Sequence, residues 1–275
     1  MLFALFKTYP KIYATPKGAI WGDGVAVLVK TRAAFFMIYN MFFAADFELF
    51  TSRYQGDEEW NGSRLAIRRR LQTLGNEVCA EYATLGVALD RRESLHHPHH
   101  TNGKHVRRQR TMIFRDKKSR KKLQSFLGKD LGKDLNSARN NVHMQICIDD
   151  KQCWWGIRID ESAWYDLNVL IKRAEEDFSR DEIVAAAKLA PNFDFEINGG
   201  GARPLSKMTN RDWRDIAGAV NPGENAVEIV HRMQSSEAIA LGEDLAATIT
   251  QELLSLLEFF KLCSWTLDSP NGATA

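Results

Sequence analysis

The chain has only four cysteines, Cys79, Cys147, Cys153 and Cys263, and no two of them form a C-x-x-C pair. Their spacing offers no disulfide framework, so a reducing, cytoplasmic setting is expected. Long apolar runs are missing as well. Ala33–Ala45 is apolar but spans thirteen residues, contains Asn40 and is followed by Asp46 and Glu48. That is too short to cross a bilayer, and no membrane partner is expected. The apolar start, Met1–Phe6, is interrupted by Lys7, Pro10 and Lys11, which is not the order of a signal peptide. The chain also lacks a Gly-x-Ser-x-Gly elbow, a P-loop and a dinucleotide fingerprint, so the enzyme classes those motifs mark are not indicated.

What is present is ordinary in bulk and unusual in one place. Apolar residues make up 44% and charged residues 26% of 275 positions, enough for a full hydrophobic core. The net charge of +2 hides an asymmetry. Lys104–Lys122 holds ten basic residues and one acid, Asp116, so it carries +9 and leaves −7 for the remainder. Five of the seven histidines lie in Ser94–Lys122, SLHHPHHTNGKHVRRQRTMIFRDKKSRKK. A basic segment on an acidic body points to an anionic partner. The plain alternative is a solvated surface.

Residues 1–40 are cut by Pro10, Pro16, Gly18, Gly22 and Gly24, with one short strand expected around Val25–Val29. Met37 and Met41 precede FFAADFELF, which reads as the start of a domain. The expectation is an N-terminal extension over 1–40, a single domain over 41–268 and a frayed tail over 269–275. In Asn61–Leu85, the residues Ile67, Leu71, Leu74, Val78, Tyr82 and Leu85 step by three or four and predict a helix. Arg64, Arg68, Arg69 and Arg70 oppose the dipole at its N-terminal end, and pairing with the acids of Asp57–Glu59 is expected. Thr111–Phe114 reads as a strand, and Lys117–Leu127 as a helix with a basic face.

His143–Asp160 alternates as a hairpin. A two-residue turn at Asp150–Lys151 pairs Ile148 with Cys153 and Ile146 with Trp155, which gathers the apolar residues on one face. The same register separates Cys147 from Cys153 and puts His143 with Gln145 and Arg158 on the polar face. Asp160 is expected to cap a helix running to Asp177, with Phe178 on its apolar stripe, and Ile183–Leu189 continues helically to Pro191. Phe193–Ile197 alternates as a strand, and the NGGGARP that follows reads as a loop. Thr209 and Asp212 form a capping box for a helix to Val220. Ala226–Met233 is a strand whose His231 reads as a satisfied core residue. Leu241–Phe260 reads as one long amphipathic helix. Helices before, between and after strands joined by a hairpin predict an α+β fold: a mostly antiparallel sheet of about five strands, covered by helices on one side.

Phe43, Asp46, Phe47 and Phe50, then Leu74-Gly75, then Lys104, His105, Arg107 and Arg108 ahead of the hairpin resemble the layout of the YktB-like uncharacterised proteins. The likeness covers about 42–160. Gln109-Arg110-Thr111 stands where that family has Asn-Pro-Pro after its arginine pair. The resemblance implies a compact α+β fold and no established activity.

Three kinds of function follow from the residues. The first is binding of a polyanion, nucleic acid or a phosphorylated ligand, through 104–122, with His105, Arg107, Arg108, Arg110, Arg115, Lys117 and Lys118 as contacts. Arginine brings bidentate phosphate geometry, and about six neutralised phosphates would give a log K against log salt slope near −5. Phe114 is the one aromatic inside the segment, and Trp154 or Trp155 is the candidate stacking partner. The second is a metal-dependent hydrolase or nuclease drawing on His143 and on Asp149, Asp150, Asp160 and Glu161 near the hairpin ends. No cofactor motif is present. A divalent metal on His97 and His99 is the one cofactor left open, since Pro98 makes His97 extended and lets that pair share a side. The third is a non-catalytic interaction module whose basic arm docks on an acidic protein, within a bacterial multi-protein system.

Overall fold

The computed structural model describes residues 40–267, apart from the side chains of 129–131 and 133. In chain order the principal elements are α1 (Ala44–Glu48), α2 (Asn61–Thr84), β1 (Leu89–Glu93), β2 (Gln109–Arg115), α3 (Lys117–Gly132, broken at Gly128), β3 (His143–Ile148), β4 (Gln152–Ile159), α4 (Trp164–Glu175), α5 (Asp177–Lys188), β5 (Asp194–Ile197), β6 (Gly200–Pro204), α6 (Asn210–Ala219), β7 (Val227–Gln234), α7 (Ser235–Leu241), α8 (Asp244–Ser255) and α9 (Leu257–Cys263). The strands form one antiparallel sheet in the order β1-β2-β3-β4-β7-β5-β6. The fold is α+β, but among the described residues the sheet has seven strands rather than five. The additional two, β1 and β6, are its edges. No helix among the described residues is long and apolar enough to cross a membrane. The strand expected at Val25–Val29 and the tail beyond 267 lie outside the described residues.

The hairpin of β3 and β4 has the register set by its apolar pattern, with Ile148 opposite Cys153 and Ile146 opposite Trp155. The Asp149 carboxylate accepts from the backbone amides of Lys151 and Gln152 at 2.9 and 3.0 Å, which fixes the turn. Ile113, Met144, Ile146, Ile148, Trp155 and Ile157 then face the main core, built with Ile67, Leu71, Leu74 and Val78 of α2 and Leu245, Ile249 and Leu253 of α8. Tyr82 closes this layer by donating to the Leu253 carbonyl at 2.6 Å. Among the described residues the opposite face carries two small apolar clusters: Met112 and Phe114 under Ala138, and Cys147 with Trp154 and Val230. The cysteines of the hairpin are thus on opposite faces, and all four in the chain are free. Between and beside those clusters the face carries His143, Gln145, Arg158, Glu196, Glu228 and Arg232.

Several local expectations are corrected. The long C-terminal helix is three, because Gly242 at φ +54° and the turn at Leu256 interrupt it, although its apolar stripe is buried as its spacing requires. Glu176 is extended and separates α4 from α5, which leaves Phe178 in solvent at 78% exposure. Arg64 is fully buried and serves backbone rather than the carboxylates of Asp57–Glu59: it donates to the carbonyls of Tyr54, His96 and Asp57 and to Asn61. Arg70 pairs instead with Asp46 at 2.7 Å. Asp160 is not a helix cap. The helix starts at Trp164 with Ala163 before it, and the Asp160 side chain turns onto the polar sheet face.

Candidate polyanion-binding site

The register of the sheet dictates which side chains share the polar face. One row runs Phe114, His143, Arg158, Glu228 and Glu196 across five strands, and the next but one runs Arg110, Cys147, Trp154 and Arg232. Between them, Gly156 sits at φ +148°, where a Cβ would come within 1.9 Å of the Ile229 carbonyl oxygen. Only glycine lets β4 lie this close to β7.

The charged residues of this face form a connected network. Arg158 donates to Asp160 at 2.6 Å and to Glu228. Arg232 donates to both oxygens of Glu196, at 2.7 and 3.3 Å, and reaches Glu228 at 3.4 Å. Gln145 donates to Glu228 at 3.0 Å, and Arg139 approaches Asp160 at 3.5 Å. Burial works to raise the pKa of the fully buried Asp160. Arg158 foremost, then His143 and Arg139, outweigh burial and hold the carboxyl below the usual range. His143 is fully buried and donates from Nδ1 to the Asn141 carbonyl at 2.9 Å. Its Nε2 has no hydrogen-bond partner among the described residues. Burial pushes its pKa down to about 4, so the ring is neutral near pH 7.

Beside this network the Lys104–Arg110 segment behaves differently. His105, Arg107, Arg108 and Arg110 line one groove of about 360 Å³, together with Ser94 and Asn102. Arg107 and Arg108 are exposed and Arg110 is half-buried. No carboxylate among the described residues lies within ion-pair distance of any of the three. The loop that carries them is held from below. Val106 is buried and donates to the Gln55 carbonyl at 2.8 Å, and Arg64 ties down the His96 carbonyl.

The remaining expected contacts fall elsewhere. Arg115 is directed into the core side, buried, bonded to Asp166 and Asn141 at 2.7 Å each and to the Trp265 carbonyl at 2.9 Å. Its guanidinium is thus engaged within the protein, although the residue also borders a cavity of about 340 Å³ with Lys122 and Lys261. Lys117 and Lys118 are exposed in the first turn of α3, where the Asp116 carboxylate accepts from the amides of Lys118 and Ser119. A seven-residue strand, roughly 20 Å, separates them from Arg108. The basic segment therefore divides into two patches at opposite ends of β2. His97 and His99 have ring centroids 6.0 Å apart, and the His99 ring caps a short turn by accepting from Thr101. No group of three or more His, Cys, Asp or Glu side chains among the described residues is arranged to hold a metal ion. His231 faces the helical layer, 2.6 Å from Glu252 and 4.7 Å from the Trp155 ring, satisfied as expected.

Glu196, Glu228 and Arg232 were not singled out by the sequence, and Asp160 was read there only as a helix cap and a candidate hydrolase carboxylate. Their signal lies in the charged positions of two alternating strands, FDFEI and AVEIVHRM, at Glu196, Glu228 and Arg232. Attention to the apolar positions alone passes over it. No protein-family model matches the chain, and no curated protein matches it.

Proposed function

We propose that this protein binds a phosphorylated polyanion, nucleic acid foremost, through Arg107, Arg108 and Arg110 with His105 beside them. One observation carries the reading: these three guanidiniums line a common groove and have no carboxylate partner among the described residues. The arginines on the adjoining sheet face, Arg139, Arg158 and Arg232, are all matched to acids. Clustered guanidiniums repel one another and cost stability unless an anion joins them. Phosphate satisfies their fork of N–H donors bidentately. The resemblance to the YktB-like proteins includes the same Lys104-His105-x-Arg107-Arg108 run. Four free cysteines favour a reducing, cytoplasmic setting for this activity.

The test is binding of a fluorescent oligonucleotide at two salt concentrations. With Lys104, Arg107, Arg108 and Arg110 on about four phosphates, the slope for a single strand is about −3, so affinity falls about 50-fold between about 50 and 200 mM salt. The Arg107→Ala/Arg108→Ala protein loses most of that binding and most of the salt dependence. Undiminished binding by the double variant, or none by the wild type at the lower salt, refutes the proposal.

A further inference from the structure

We infer that the ligand is a single strand of nucleic acid, with its phosphates on Arg107, Arg108 and Arg110 and one base in the adjacent groove beside Trp154. This rests on the polyanion reading and adds to it the part of the ligand that is not phosphate. Arg108 belongs to two grooves at once. On one side is the acid-free groove just described, and on the other is a groove of about 440 Å³ bounded by Trp154, Arg158, Glu161, Glu228 and Arg232. The two differ in electrostatics. Behind the second groove, Arg139, Arg158 and Arg232 are balanced by Asp160, Glu196 and Glu228, three cations against three anions. Its walls thus offer N–H donors and carboxylate acceptors with no net charge from the network. Glu161 adds a carboxylate that makes no ion pair with any described residue. A phosphate entering there would meet Glu161 and Glu228. A neutral group rich in donors and acceptors would find partners, with the largely buried Trp154 indole, over which Arg232 lies at 6.0 Å, at its base.

A ligand that presents phosphate to one groove and a neutral, planar, polar group to the next is a nucleotide. Three guanidiniums along Arg107–Arg110 exceed the need of one phosphate and suit the repeated phosphates of a strand. In a duplex the bases are paired and stacked, whereas a single strand can turn one out into a groove. The network is rigid because each buried acid is held by arginine, so the groove is formed before the ligand arrives.

The experiment compares, by fluorescence anisotropy at low salt, a single strand of about eight nucleotides, an abasic sugar–phosphate strand of equal length, the matching duplex and inorganic polyphosphate. DNA and RNA strands are run in parallel, and a base-dependent advantage with either supports the inference. The expected result is about tenfold tighter binding of the base-bearing single strand than of the abasic strand. Glu161→Ala, which removes a half-buried, unpaired carboxylate, reduces that advantage and leaves abasic binding no weaker. Equal binding of the base-bearing and abasic strands, tighter binding of the duplex, or an advantage untouched by Glu161→Ala overturns this inference while leaving the phosphate site standing. Failure of strand, abasic strand and polyphosphate alike overturns both.

Discussion

Acidification acts on this fold through His143. The ring is fully buried between β2 and β4 and faces the charges of Asp160, Arg110 and Arg158. Burial is the leading cause of its shift, and the folded pKa lies at about 4 against an ordinary value of 6.5. The sign is therefore that of a depressed group: its stability contribution is complete above pH 6.5 and is lost as pH falls through 4. The unfolded chain takes up the proton first, and each step downward favours it. Between about pH 7.5 and 5 the loss amounts to about 2 kcal/mol, and the full span reaches about 3 kcal/mol. Urea unfolding at several pH values measures it. His143→Gln keeps a donor for the Asn141 carbonyl but removes the titration, and all other histidines are common to both proteins. The wild type should lose about 2 kcal/mol more than the variant over that window. Parallel stability curves for the two proteins would refute the reasoning. So would a directly observed His143 titration near pH 6.5 in the folded wild type, a readout that does not depend on the variant folding.

Two further outcomes separate structure from binding. Arg115→Met leaves the buried Asp166 without its cation and should cost about 3–5 kcal/mol in thermal or urea unfolding, whereas exposed Arg108→Ala should shift stability by less than about 0.5 kcal/mol. A similar effect of both would contradict the division of the basic segment. Gly156→Ala drives a methyl against the Ile229 carbonyl and forces a non-glycine residue to φ +148°, so a loss above about 2 kcal/mol or failure to fold is expected. An unchanged melting temperature would mean that β4 and β7 do not approach as closely as described.

Legibility in the sequence followed burial. The stripe of α2, the hairpin register, the Thr209–Asp212 capping box and the strand at β5 were all readable, because one side of each faces a single large core and the pattern repeats every two or 3.6 residues. The edges were not. β1 reads LDRRE and β6 reads GGARP, with no apolar alternation to reveal a strand. They are strands because β2 and β5 offer them free ladders, which is a tertiary property. Asp160 follows a strand and precedes a helix, where a cap is the commonest use of aspartate. The charged side of β4 decides otherwise, since Arg158 on the same face captures it first. In the basic segment the charge count was visible, but the direction of each arginine was not. Arg110 and Arg115 lie on opposite faces of β2 because five residues apart is an odd step along a strand.

The two ends of the sheet also determine how the molecule behaves among copies of itself. At one end, β1 has Asp90, Arg91, Arg92 and Glu93 in four of its five positions, with Arg91 paired to Glu93 and Asp90 to Arg120. At the other, β6 is exposed, ends in Pro204, meets β5 with a shifted register and follows Asn198 and Gly199 at positive φ. An incoming strand would have to bury fixed charge at the first edge or match an irregular ladder at the second. Among the described residues, both edges of the sheet thus carry features that disfavour pairing with a strand of another copy.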